Sequence, residues 1–94
     1  MKNRYSFTPQ ALANIAVYGI APGEVWEALH AEHRLTRQLS GEAVGVFGVT
    51  AAGRHLLVLV VESRFEDNDW DITAARDLDA DEIALFNRQT GRQP

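Results

Sequence analysis

The feature that most constrains the fold is a continuous apolar run at residues 56–61, Leu-Leu-Val-Leu-Val-Val. Gly53 precedes the run, and an acidic stretch at residues 66–69 follows it. Runs of this kind that are rich in β-branched residues are typical of strands buried on both faces. A helix would need about ten or more residues with a polar stripe, which the run lacks. We therefore expect a central strand whose two faces are covered by the rest of the chain.

Two short helices are expected ahead of this strand. Thr8 suits the N-cap of a helix and Pro9 its first position, and the apolar residues that follow recur at helical spacing over residues 9–18. Gly19 is typical of a helix C-terminus, and Pro22 suits the first turn of a second helix. Because the connection is short and contains glycine, the pair is predicted to form an αα-hairpin.

The remaining segments predict a sheet followed by a helix. Strands are expected at residues 34–39, 44–50, 54–65 and 70–75. Asp79 and Glu82 have capping-box spacing for a final helix, and residues 1–6 are either a polar lead-in or an edge strand. We predict one α+β domain over residues 1–94, with an N-terminal two-helix hairpin, a sheet of about four mostly antiparallel strands and a C-terminal helix, in two layers.

Composition limits the classes of function. The chain has no cysteine, which excludes a thiol nucleophile and a cysteine-based zinc site, and it shows no apolar stretch that could span a membrane. These features predict a cytoplasmic protein. The net charge of -4 argues against strong nonspecific binding to nucleic acid. However, every cation except Lys2 is an arginine, which suits bidentate contacts with phosphate or carboxylate.

Arg54 and Arg76 are the first candidate site residues. Arg54 opens the central strand and Arg76 closes the last one, so an antiparallel hairpin would bring them to the same end of the sheet. There they can bind a phosphate together. Alternatively, they are solvated strand-end cations, or Arg76 pairs with Glu82. His55 follows Arg54 but turns to the opposite face, so it is either an acid or base at a twisted strand end or a surface residue.

A second cluster, Glu27, His30 and His33, lies at a spacing of three residues on the second helix. These residue types are metal ligands, but three positions at this spacing fan across a helix surface. We therefore predict no metal site. Trp26 and Trp70 are interpreted as core or interface anchors rather than base-stacking platforms.

Several short motifs in a fixed order resemble the BrnT family of bacterial toxins, whose fold is similar to that of RelE-type ribonucleases. The resemblance covers residues 7–88. Its pieces are Phe7, Asn14 and Gly19-Ile20 at the start, the small-residue hairpin at residues 48–54, and the segment 72–76 with Glu82 and Phe86 at the end. The resemblance implies a toxin–antitoxin pair in which a small DNA-binding antitoxin neutralises a metal-independent endoribonuclease that needs no cofactor.

RNA cleavage of this kind needs a base, an acid and cations that stabilise the developing charge on phosphate. By resemblance, Arg54 and Arg76 would supply the cations, and Glu82 or His55 the acid or base. Tyr18 stands where the family has histidine, and its hydroxyl can donate a proton.

This chain departs from the family at several basic positions. Val17 and Tyr18 replace Lys-His, Ala43 replaces an arginine, Asp77, Asp79 and Asp81 replace basic residues, and Phe86 replaces a tyrosine. Three functions therefore stay open. They are a ribonuclease toxin that binds an antitoxin and RNA, a non-catalytic protein-interaction module on the same scaffold, and a homodimeric small-molecule binder.

Overall fold

The computed structural model describes residues 4–39, 41–63 and 69–91. In chain order, the elements of these ranges are β1 (Arg4–Phe7), α1 (Pro9–Val17), α2 (Pro22–Leu29), β2 (Leu35–Gln38), β3 (Ala43–Val49), β4 (His55–Glu62), β5 (Asp69–Asp77) and α3 (Ala80–Thr90). Of the acidic stretch at residues 66–69, only Asp69 lies within the described residues. Among the helices of these ranges, none combines the length and apolarity needed to cross a membrane.

The strands form one sheet in the order β1-β5-β4-β3-β2. β1 runs parallel to β5, and the other neighbouring pairs are antiparallel. The α+β class and the mostly antiparallel sheet are therefore confirmed, but the sheet has five strands rather than the four that were expected. The additional strand is β1, whose four residues are too few to show a clear alternation of apolar and polar side chains.

The first two helices each pack on the sheet. α1 lies on β5, and α2 lies on β3 and β4. Thr8 caps α1 by accepting a hydrogen bond from the Ala11 N–H at 3.0 Å, and Pro9 occupies the first turn, as predicted. The predicted N-terminal helical hairpin is wrong, because β1 precedes both helices and because Ile15 of α1 and Leu29 of α2 bury their side chains in the core over the sheet.

Both faces of the sheet are covered, so the fold has three layers rather than two. On the face covered by α1 and α2, the central strand β4 contributes Leu56, Val58 and Val60 to the core. On the other face, Leu57 packs with Phe86 of α3. The prediction of a central strand buried on both faces is confirmed.

A β-bulge at Thr73 determines which residues of β5 reach each face. Ile72 is opposite Val60 and Ala74 is opposite Leu59, so Thr73 has no opposite residue in the ladder. The Thr73 hydroxyl donates a hydrogen bond to the Leu59 carbonyl at 3.3 Å. The extra residue shifts the alternation of side chains by one position. Each residue of β5 after Thr73 therefore faces the side of the sheet opposite to the one that unbroken alternation would give it.

Candidate functional site

Arg54 precedes β4 on the face covered by α1 and α2. Its Nε and Nη2 donate to the two carboxylate oxygens of Asp77 at 2.6 and 2.9 Å. Its Nη1 donates to Glu24 at 3.2 Å, and its Nη atoms also donate to the carbonyls of Gly19 and Tyr18, each at 3.0 Å. The hydrogen bonds between Arg54 and Asp77 raise the pKa of the guanidinium and lower that of the carboxyl. Every nitrogen of this guanidinium is therefore engaged within the protein.

Arg76 lies on the opposite face, in contact with α3. Its two Nη atoms donate to the two carboxylate oxygens of Glu82, both at 2.8 Å. Glu82 also accepts the Asp79 N–H at 2.9 Å, and the Asp79 carboxylate accepts the Glu82 N–H at 2.8 Å, which completes the predicted capping box. Hydrogen bonds from Arg76 and from the Asp79 backbone lower the pKa of Glu82 to about 2. Glu82 is therefore ionised near neutral pH.

The structure keeps the two guanidiniums apart. Arg76 is opposite Leu57, which belongs to the core beneath α3. Asp77, the partner of Arg54, is opposite Leu56, which belongs to the core beneath α1 and α2. Both arginines lie at the same end of the hairpin, as expected, but the shared phosphate site is not formed because they occupy opposite faces.

Tyr18 and Arg76 line a groove along the edge of β5, beyond the point where β1 ends. The groove has a volume of ≈ 150 Å³ and is also lined by Asn14, Leu57, Leu59, Ala74 and Ala75. The Asn14 side chain accepts the Ala75 N–H at 3.0 Å, so α1 satisfies part of the strand edge that β1 leaves open. Because Glu82 binds Arg76, the structure brings three of the predicted site residues, Tyr18, Arg76 and Glu82, into one region.

His55 faces away from Arg54, as the alternation along a strand predicts. Its ring packs edge-on against Phe86 of α3, with 5.6 Å between the ring centroids. Its Nε2 is buried and has no hydrogen-bond partner within the described residues. The structure therefore places His55 under α3, on the face of the sheet that carries Arg76 and opposite to Arg54.

The outer side of α1 is an exposed apolar surface that hydrophobic spacing alone does not reveal. This α1 surface consists of Leu12, Ala13, Ala16, Val17 and Tyr18, all of them exposed. Val17 is 81% exposed and Tyr18 is 49% exposed. The signal in the sequence is the charge distribution, since no charged residue or histidine occurs between Arg4 and Glu24. A surface helix normally carries charges on its outer side, so an exposed outer side without charge is unusual.

Glu27, His30 and His33 are not arranged as a metal site. His30 Nδ1 is hydrogen-bonded to the carbonyl of Trp26 at 2.9 Å, and the Glu27 carboxylate accepts the Ala51 N–H at 3.3 Å. Across the part of the chain that the structure describes, no group of three or more histidine, aspartate or glutamate side chains is arranged to hold a metal ion.

Comparison with known proteins adds no assignment. No family model matches the chain, and no curated protein gives a significant match. The resemblance to BrnT family toxins therefore stays a prediction that depends on the motifs described above.

Proposed function

We propose that the chain is a protein-binding member of a type II toxin–antitoxin pair on a BrnT- and RelE-like scaffold, and that the α1 surface docks its partner. The observation that carries the proposal is the exposure of Val17 (81%) and Tyr18 (49%) on a helix side without charge. The cores of protein interfaces are depleted in charge and enriched in aromatic residues. Removing a side chain such as Val17 from water contributes about 1.5 kcal/mol to binding.

The contacts of the two arginines favour binding over catalysis. An RNA phosphate would have to displace Asp77 and Glu24 from Arg54, or Glu82 from Arg76. The displaced carboxylates would then lie beside the phosphate and repel it. The net charge of -4 also disfavours the binding of RNA.

The test is to co-express the chain with the small protein that a type II pair would encode beside it, and to measure complex formation by size-exclusion chromatography with light scattering. We expect the wild-type chain to elute as a complex. Val17→Glu should weaken the complex at least tenfold, because it buries a carboxylate without a partner. Gln89→Glu adds the same charge on the exposed side of α3 and serves as the matched control, so it should leave the complex intact.

Circular dichroism of each variant establishes that it is folded. Separate elution of the two wild-type proteins would show that the neighbouring protein is not the partner. Equal weakening by Val17→Glu and Gln89→Glu would show that the α1 surface is not the docking surface.

A second candidate, an endoribonuclease toxin neutralised by its antitoxin, is favoured by the grouping of Tyr18, Arg76 and Glu82. In this mechanism a phosphate of RNA displaces Glu82, and Arg76 stabilises the charge on the pentacoordinate phosphorus. The pKa of the released Glu82 rises towards its ordinary value, so the carboxylate can accept the 2′-hydroxyl proton. The 2′-oxygen bonds to phosphorus and the bond between phosphorus and the 5′-oxygen breaks, which leaves a 2′,3′-cyclic phosphate. The Tyr18 hydroxyl donates a proton to the leaving 5′-oxygen.

Incubation of the purified chain with single-stranded RNA tests this candidate. Cleavage should be abolished by Arg76→Ala and kept by Arg88→Ala, which removes an exposed arginine elsewhere on α3. Intact RNA after incubation with the wild-type chain would reject the candidate.

A further inference from the structure

A cleft of ≈ 540 Å³ separates the end of α2 from the turn between β3 and β4. Among the residues that line this α2 cleft are Trp26, Glu27, His30, Glu32, His33 and Ala51. None of them belongs to the α1 surface or to the groove beside Arg76. The α2 cleft is therefore a separate site, and neither function proposed above uses it.

Trp26 forms an aromatic wall of the α2 cleft and is 52% exposed. His30 stacks against the indole with 3.9 Å between ring centroids, and Tyr5 packs edge-on against His30 at 5.7 Å. The hydrogen bond between His30 Nδ1 and the Trp26 carbonyl, 2.9 Å long, holds the imidazole in place. Because these contacts fix the indole from one side, a ligand can stack on its open face at a small cost in side-chain entropy.

Two glutamates line the α2 cleft, whereas no lysine or arginine does. Glu27 is oriented by the Ala51 N–H, which donates to its carboxylate at 3.3 Å. Glu32 is exposed. Within the described ranges neither glutamate forms an ion pair. Carboxylates without a cation, next to an aromatic face, are complementary to a planar cation.

We propose that the α2 cleft binds the guanidinium group of an arginine side chain on a protein partner. A guanidinium stacks on Trp26 through its flat face while its N–H groups donate to Glu27 and Glu32, and a lysine ammonium lacks that flat face. Free arginine adds an α-ammonium and an α-carboxylate to the same guanidinium, so comparing it with a capped peptide tests whether the ligand is a protein side chain. The net charge of -4 also favours a cationic partner. This inference does not rest on the proposed function, and either one can fail alone.

The experiment titrates the wild-type, ¹⁵N-labelled chain with a capped Gly-Arg-Gly peptide and follows the indole N–H signals by NMR. The Trp26 signal should shift to saturation with a dissociation constant in the millimolar range, while the signal of the less exposed Trp70 should stay in place. The same peptide with citrulline, which is close in shape and uncharged, should bind at least tenfold more weakly. Equal binding of the two peptides, or no shift with either, overturns the proposal. Free arginine that binds as tightly as the peptide overturns the assignment to a protein partner.

Single substitutions test whether the arginine peptide binds in the α2 cleft. Glu32→Gln should weaken binding of the arginine peptide about fivefold, because it removes one charged acceptor. Glu42→Gln changes the net charge equally at an exposed carboxylate outside the α2 cleft and should leave the affinity unchanged. Trp26→Leu, at an exposed position, removes the indole signal, so the backbone amide of Ala51 in the cleft lining is followed instead. The arginine peptide should shift this amide signal in the wild-type chain and leave it in place in Trp26→Leu. Equal weakening by the two glutamine variants, or full binding by Trp26→Leu, overturns the proposal.

Discussion

Arg54 and Arg76 lie at the same end of one β-hairpin, yet each binds a carboxylate on its own side of the sheet. Arg54 joins Asp77 to the turn after α1, where it also binds the Tyr18 carbonyl. Arg76 joins β5 to the first turn of α3 through Glu82. Each ion pair therefore connects the sheet to a helical layer, and breaking it should loosen that layer.

Glu82→Gln should make the stability of the chain less dependent on pH in acid. The pKa of Glu82 in the folded state, about 2, lies below the ordinary value of 4.5. The ionised group therefore stabilises the folded state above pH 4.5, and this contribution is lost as the pH falls towards 2. Glutamine keeps the capping hydrogen bond, so the variant isolates the ion pair. Because the pair is partly exposed, the expected loss at neutral pH is about 1 kcal/mol in urea unfolding.

Asp81→Asn is the matched control for this measurement. Asp81 is exposed, neighbours Glu82 and has no ion pair among the described residues. Asp81→Asn should keep the dependence of stability on acidic pH that the wild-type chain shows. If Glu82→Gln also kept that dependence, the ion pair with Arg76 would not contribute to stability.

Gly48→Ala should be strongly destabilising because Gly48 of β3 lies against the end of α2. A Cβ atom there would overlap the carbonyl oxygen of Ala28, which cannot yield unless α2 moves. The expected loss in the free energy of unfolding is about 3 kcal/mol. Gly23→Ala, in the first turn of α2 with no atom within 4 Å of the added carbon, should instead raise stability by about 0.5 kcal/mol. Chemical denaturation measures both, and equal effects would disprove the close approach.

His55→Leu should leave the free energy of unfolding unchanged or raise it by about 1 kcal/mol. The reason is that His55 Nε2 is buried next to Phe86 without a partner among the described residues. An apolar side chain removes the cost of desolvating that nitrogen. Thermal and urea unfolding check the prediction, and a marked loss of stability would mean that His55 makes a hydrogen bond in solution.

Arg54→Lys should loosen the turn between α1 and α2 more than the core. A lysine ammonium cannot replace the guanidinium at Asp77 and at the Gly19 and Tyr18 carbonyls at once. The Ile20 N–H, which donates to Ile15 at 2.9 Å, should then exchange with solvent about tenfold faster. Hydrogen exchange followed by NMR measures this change. An equal increase in the hydrogen-exchange rates of amides in the centre of β4 would show instead that the whole fold had been destabilised.

The central strand and the helix caps are predictable because their signals are local. The apolar run at residues 56–61 indicates burial on both faces wherever the covering helices lie. Thr8 with Pro9, and Asp79 with Glu82, carry the chemistry of helix N-termini within a few residues. The short strand β1 has no such signal, since its place depends on pairing with the distant strand β5.

The arrangement of the candidate site was not predictable because it depends on the bulge at Thr73. Trp70 and Ile72 face the core beneath α1 and α2, and continued alternation would place Arg76 on that face, beside Arg54. The bulge reverses the alternation, so Arg76 faces α3. No residue type near Thr73 marks the bulge in the sequence. The uncharged stretch between Arg4 and Glu24 is the signal that indicates the α1 surface.

Bacterial growth after induction of the chain tests our claim that Arg76 is held by Glu82 as a structural ion pair and does not act on RNA. Wild type and Arg76→Ala should be compared in several hosts, with the protein level measured by immunoblot. We expect both to permit normal growth at equal protein levels. Growth arrest by the wild-type chain that Arg76→Ala relieves at the same protein level would contradict the claim.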